Sequence, residues 1–332
     1  MHPALVFLLS VMLAGPVSEV RQLHRQMGGP CSKLTLKHRF GNVDLQGAAG
    51  RTGVVVDAVV RVTAGSGTTA SAFAQAVELD VRRDGRNVTV ATRYPHAEST
   101  DPDFSYEVDI DVLLPADARV EVENSFGDLS VTGVTGGCRL DNRYGEVGLS
   151  RCGPCQVTGH YGNVRMLDSE GPQQVHNYFG NVVLRQVGDH VQVENRYGTV
   201  EADRLTGEAF INNLLGNVVA RHGTGRLSIV NHLGDVSASV ENEGLDMLEI
   251  LSRRGRVELN LARGVPYRLD GWTRQGSIHP LAPVLVRDIG AGESVVGLAG
   301  FGGPVIRLDG VMSDFTIKAD SPLEGGASQE RR

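Results

Sequence analysis

The chain has 332 residues, 42 of them glycine, with only 5% aromatic residues and a net charge of −7. Mild acidity without a basic cluster argues against a nucleic-acid partner. The length could house two domains, but an array of repeats grows without a second core, and frequent glycine suits a chain that turns often.

Ala4 to Ala14 is an apolar run, followed by Gly15-Pro16-Val17-Ser18. Such a run is short for a bilayer span and fits the apolar segment of an export signal. Residues 1–18 therefore read as a signal peptide, and the protein as exported to the periplasm, cell surface or medium. No later stretch is long and apolar enough for a membrane helix, so no membrane span is expected once the signal is cleaved. Residues 19–33 read as an N-terminal leader.

Residues 34–119 read as irregular entry coils or a cap. They begin with Leu34 to Leu45, which contains Phe40-Gly41-Asn42-Val43. Strand-like runs follow at Val54 to Val62, Val77 to Val81, Val88 to Thr92 and Phe104 to Leu114, with a small, polar segment from Ser66 to Ala76 that suits a loop or short helix. Solenoids need such atypical end units to cover an open core.

Residues 120–278 carry one motif many times over. Asn124-Ser125-Phe126-Gly127-Asp128-Leu129 returns as Asn142-Arg143-Tyr144-Gly145-Glu146-Val147, and again at Gly162, Gly180, Gly198, Gly216 and Gly234. The steps between these glycines are 18, 17, 18, 18, 18 and 18 residues, and weaker copies at Gly255 and Gly276 stretch the step to 21. Two residues after the glycine stand Leu129, Val147, Val164, Val182, Val200, Val218 and Val236; five before it stand Val122, Leu140, Val157, Val175, Val193, Ile211 and Ile229. Polar residues mostly separate these positions, the alternation of a strand with one buried face. Each repeat is then two short strands, and strands recurring in one sense pair in parallel. The expected fold is all-β: a single-stranded, right-handed parallel β-helix, or β-solenoid, with coils of about 18 residues.

The motif residues read as structural. Gly127, Gly145, Gly162, Gly180, Gly198, Gly216 and Gly234 supply a corner conformation that a side chain would block. Asn124, Asn142, Asn177, Asn195, Asn213 and Asn231 can pass amide hydrogen bonds from coil to coil. Phe126, Tyr144, Tyr161, Phe179 and Tyr197 form an aromatic column, and its continuation as Leu215 and Leu233 points to a column facing inward. Residues 279–318, interrupted by Pro280 and Pro283, read as closing coils, and 319–332 as a disordered polar tail.

A β-rich entry, then Leu114-Pro115-Ala116-Asp117-Ala118-Arg119-Val120-Glu121-Val122, then Phe126-Gly127-Asp128-Leu129 and its iterations resembles the bacterial "putative adhesin" β-strand-repeat family, a domain of unknown function. The resemblance covers roughly residues 30–320. It implies an envelope or secreted β-solenoid that binds a partner, and it brings no catalytic motif.

Three constellations could carry chemistry. Cys152-Gly153-Pro154-Cys155 matches the thioredoxin tetrapeptide in letters, but it lies at the corner of a β-coil rather than at a helix N-terminus. Cys138 and Cys155 each stand seven before a motif glycine, so they should be stacked, inward-facing neighbours, and a disulfide between them or one using Cys152 is open. Glu123, Asp128, Asp141 and Glu146 place carboxylates on two adjacent coils, where calcium or the nearby Arg139 and Arg143 could balance them. The histidines do not converge: His160 and His232 share a column four coils apart, so no zinc site is expected. No cofactor is expected. The reading is a non-catalytic, adhesin-like binding or structural protein of the cell envelope, meeting an envelope glycan or protein through outward columns that include Arg143, Tyr178, Arg196 and Arg253. Its alternatives are a polysaccharide lyase or hydrolase-like enzyme on the same architecture, and an envelope stress or signalling component.

Overall fold

The computed structural model describes residues 15–96, 101–241 and 244–319. Most of the expected signal peptide and polar tail lies outside these residues. Among them, the chain is all-β apart from one helix, Gly67–Ala76. Two long sheets of 14 and 15 strands, mostly parallel, carry the fold, and neither closes on itself. No described helix is long and apolar enough to cross a membrane.

Each repeat gives one strand to each sheet. Strands that end at the motif, such as Cys138–Tyr144, Gln173–Phe179 and His190–Tyr197, lie in the larger sheet. Strands that follow the glycine, such as Val147–Ser150 and Val182–Val187, lie in the other. Pairing is in register with the sequence columns. Asn142 faces Asn124, Asn195 faces Asn177, and Asn213 faces Asn195. Across the glycine, Val147 faces Leu129 and Val164 faces Val147. A slip by one residue would turn every apolar side chain outward, so the buried face fixes the register. Leu140, Val157, Val175, Val193 and Ile211 are fully buried along one column.

The glycine earns its place at the corner. At Gly180 φ is +135°, and a Cβ would run into the carbonyl oxygen of Gly162, the motif glycine one coil earlier. The three-before column is buried and, except at Gly159, polar: Asn124, Asn142, Asn177, Asn195, Asn213 and Asn231, with His38 at the first copy and Ser252 at a late one. Asn177 Nδ2 donates to Asn195 Oδ1 at 3.2 Å, Asn195 to Asn213 at 3.0 Å, and Asn213 to Asn231 at 3.2 Å. Gly159 occupies this column between Asn142 and Asn177 and breaks the ladder there.

Both ends depart from simple stacking. Val17–Met27 is an edge strand antiparallel to Val54–Ala64, so part of the stretch read as leader is sheet. The helix, capped by the Ser66 side chain, buries Ala70, Phe73 and Ala74 against these two strands. At the other end the chain doubles back. Val305–Val311 lies between Leu245–Ser252 and Tyr267–Arg274, and Ser313–Ala319 lies between Gly255–Leu261 and Ile278–Leu281. The Gly276 copy therefore does not stack on the Gly255 copy.

Candidate binding surface

The aromatic column faces outward, which overturns the inward reading. Phe126, Tyr144, Tyr161, Phe179 and Tyr197 are 40–49% exposed. Strict alternation from the buried asparagine would send the residue two further on inward. The glycine turns the chain at that point, and the last two residues of Cys138–Tyr144 both face solvent. The rings stack on one another at 4.9, 5.0, 5.0 and 4.7 Å between centroids, with planes within 7°. Phe40 begins the ladder, 5.3 Å from Phe126. Sequence reading missed it as a rung, although Phe40-Gly41 was a visible motif copy. A long interval of chain separates it from Phe126, while the strands themselves are neighbours.

A second outward column flanks the ladder. Tyr178 lies between the His160 ring, 5.2 Å away and parallel, and the Arg196 guanidinium, 5.2 Å from its centroid. Leu214 and Leu215 continue the apolar strip at 40% and 45% exposure. Polar pairs cross the coils around it: Lys33 forms an ion pair with Glu121 at 2.7 Å, and His176 Nδ1 lies 3.1 Å from Glu194 Oε2. The hydrogen bond from Lys33 holds the Glu121 carboxyl below its usual range.

Of the four carboxylates read as a calcium set, Glu123 and Asp141 are register partners and Asp128 lies against the backbone of Glu146, and each has a partner other than a cation. Glu123 pairs with Lys37 at 3.1 Å and Asp141 with His160 at 3.5 Å. Glu146 accepts from Arg165 at 2.7 Å and from Asn163 Nδ2 at 2.9 Å. Asp128 Oδ1 accepts the backbone N–H of Glu146 at 2.8 Å, the bond that Asn163 makes to Asn181 and Asn181 to Thr199. Asp128 thus does an asparagine's work in a ladder of turn caps.

The cysteines do converge. Cys138 and Cys155 are register partners, and Cys152 reaches them from the turn before Cys155. The three sulfur atoms lie within 4.8 Å of one another, all buried and all free thiols. Contacts from Cys138 and Cys155 hold Cys152 below the usual thiol range, against the opposing effect of burial. Its contact with Cys152, its contact with Cys155 and burial together push Cys138 up. Cys155 is lowered by Cys138 but raised more by Cys152 and burial. Cys152 stands seven after Gly145, in a column with Val134, Val187 and Leu205, and that apolar column was the signal for its inward position.

No protein-family profile matches the chain, and no curated protein is similar to it. Solved structures that match the chain include a putative cell adhesion protein from Clostridium sporogenes, at 10% identity over 92% of this chain and 100% of that one, with a TM-score of 0.23. A putative adhesin from Bacteroides fragilis matches at 11% identity over 90% and 97%, with a TM-score of 0.24. A putative lipid binding protein from Parabacteroides distasonis matches at 8% identity over 89% and 96%, with a TM-score of 0.33.

Proposed function

We propose that the two sheets are the faces of one right-handed parallel β-solenoid with coils of about 18 residues, and that the exported protein is a non-catalytic, adhesin-like binding component of the cell envelope. The observation that carries this reading is the exposed strip of rings from Phe126 to Tyr197, continued by Leu214 and Leu215. A contiguous exposed apolar strip with a polar rim is a mark of an interaction surface. Export rests on the apolar run Ala4 to Ala14.

The ladder's geometry favours a protein partner over a glycan. Sugars stack on ring faces, and here each inner ring has its faces covered by its neighbours about 5 Å away, leaving edges outward. Edges in a straight row suit an extended chain or a flat protein surface, with Arg143 and Arg196 beside it as anchors. Asp128 and Glu146, the carboxylates an enzyme on this frame would need, are engaged as a turn cap and an ion pair.

The test compares the full chain with a Tyr161→Ser, Phe179→Ser, Tyr197→Ser triple variant against a polysaccharide panel and against envelope proteins, with sugar-end release measured in parallel. Protein binding that the triple variant loses, without product release, is the expected result. Product release abolished by Asp128→Asn or Glu146→Gln would make the protein an enzyme and overturn the proposal. Glycan binding that survives the triple variant would move the site off the ladder.

A further inference from the structure

One corner of the interior differs from the rest. Seven residues before the motif glycines run Val120, Cys138, Cys155, Gln173, Val191, Ala209 and Leu227; seven after run Val134, Cys152, Ser169, Val187 and Leu205. All of these are buried, and as far as Leu227 and Leu205 the columns are aliphatic except over the same neighbouring coils, where five positions carry sulfur, oxygen or amide groups. A single buried cysteine in such a column is ordinary packing, because the thiol behaves as a small apolar group. Three whose sulfur atoms lie within 4.8 Å of one another form a donor set.

Gln173 supplies a second, independent observation. It follows Cys155 in the column as its register partner and is 1% exposed. Its Nε2 donates to the carbonyls of Gly153, Glu170 and Gly171 at 2.9–3.1 Å, while its Oε1 has no hydrogen-bond partner. A buried carbonyl oxygen without a donor is costly and calls for an explanation. A third observation is access. Cys138, Pro154, Cys155, Gln173 and His190 help line a depression of about 320 Å³ that opens to solvent.

The geometry points to a binding site for one soft d10 metal ion, zinc(II) or copper(I), held by the sulfurs of Cys138, Cys152 and Cys155, with the Gln173 carbonyl or a water completing the shell. Cys152-x-x-Cys155 has the spacing of the paired ligands in structural metal sites, and soft thiolates select ions of this class. With metal–sulfur bonds of about 2.3 Å, a tetrahedral ion wants its sulfurs about 3.8 Å apart, so the cluster needs to contract by no more than about 1 Å. Each sulfur binds as a thiolate, and any still protonated gives its proton to solvent, so zinc held by all three thiolates leaves a site of charge −1. A disulfide would use two of the sulfurs and leave the third, with the Gln173 oxygen, unexplained.

The experiment uses the full chain, purified with reductant and without chelator, and titrated anaerobically with zinc(II), with copper(I) and with cobalt(II) as a spectroscopic probe. Native mass spectrometry is expected to show one retained ion, and its binding should slow alkylation of Cys138, Cys152 and Cys155 but not of Cys31. Cobalt should give sulfur-to-metal charge-transfer bands. Chelator competition in the zinc and copper arms separates the two ions, and tight retention of either supports the site. Cys31→Ser should leave uptake unchanged, whereas Cys152→Ser should weaken it at least tenfold. No retained ion in either arm and no slowing of alkylation, or a disulfide among the three with no uptake after reduction, overturns the proposal. The mass measurement on the unmodified chain holds even if a cysteine variant fails to fold.

Discussion

His38 shows how one position in a repeat can acquire its own chemistry. It stands three before Gly41, where later copies carry asparagine, and is 6% exposed. Its Nδ1 bonds Thr92 Oγ1 at 2.9 Å, and its Nε2 is buried without a partner. Burial lowers its pKa from 6.5 to about 4. The sign follows from proton counting. Between pH 6.5 and 4 the unfolded chain holds the extra proton and the folded one does not, so stability falls as pH drops through that window and levels off below it. A shift of this size corresponds to roughly 3 kcal/mol. His38→Asn, which restores the residue of the other coils, should remove that share of the acid sensitivity. Denaturant midpoints at pH 7 and pH 4.5 check it, and equal losses in both proteins would refute the assignment. The motif copy at Gly41 fixes where His38 stands but not its neighbours, because Thr92 and Tyr94, whose hydroxyl lies 3.4 Å from Nδ1, come from the irregular entry region, where no period predicts who meets whom.

At the scale of the element, the asparagine ladder makes two opposite predictions. Asn195 both receives a bond from Asn177 and gives one to Asn213, so Asn195→Ala strands two buried groups and should cost about 2 kcal/mol. Gly159→Asn should do the reverse. A Cβ there meets chiefly the movable Asn177 Oδ1, which now lacks a donor, and the backbone at 159 needs no left-handed conformation. The new amide can donate to Asn177 Oδ1, which extends the ladder by one coil, and it removes a glycine from a strand, for a gain of about 1–2 kcal/mol. Thermal unfolding of the two variants tests both signs, and destabilisation by Gly159→Asn would show that the ladder does not propagate through this coil. Pairing of the columns was legible because a fixed period forces equal residues into register. Orientation at the corner was not. Strand alternation holds up to the asparagine and is then reset by the glycine, so Tyr161 and Phe179 emerge half-exposed although the phase of the strand sends them inward. The convergence of Cys152 on Cys138 and Cys155 was only half legible, since two columns meet at a corner whose turn no alternation describes.

For the whole molecule, the decisive feature is that the last two strands are not the end of the stack. Repeat arrays are held by contacts between neighbouring coils, so removing a terminal unit ordinarily trims the array and leaves the rest. Here Val305–Val311 and Ser313–Ala319 are inserted between earlier strands in both sheets. They bring Ile306, Leu308, Phe315 and Ile317, each buried, and burial of each such side chain contributes about 1.5–3 kcal/mol. A chain ending at Pro304 leaves Leu245–Ser252 and Tyr267–Arg274 without the strand they share, so the stretch between them loses its anchor. Hydrogen exchange should show protection lost over residues 255–299 and kept over 120–234. An internal deletion of one coil, Asn181 through Gly198, should behave differently despite removing 18 residues of regular structure. It brings Gly180 directly before Thr199 and keeps the valine and asparagine columns in phase, so the shortened array should stay cooperative and protected at both ends. If the coil deletion unfolds the protein while the Pro304 truncation leaves residues 255–299 protected, stability resides in the count of coils rather than in the strands that lock the end.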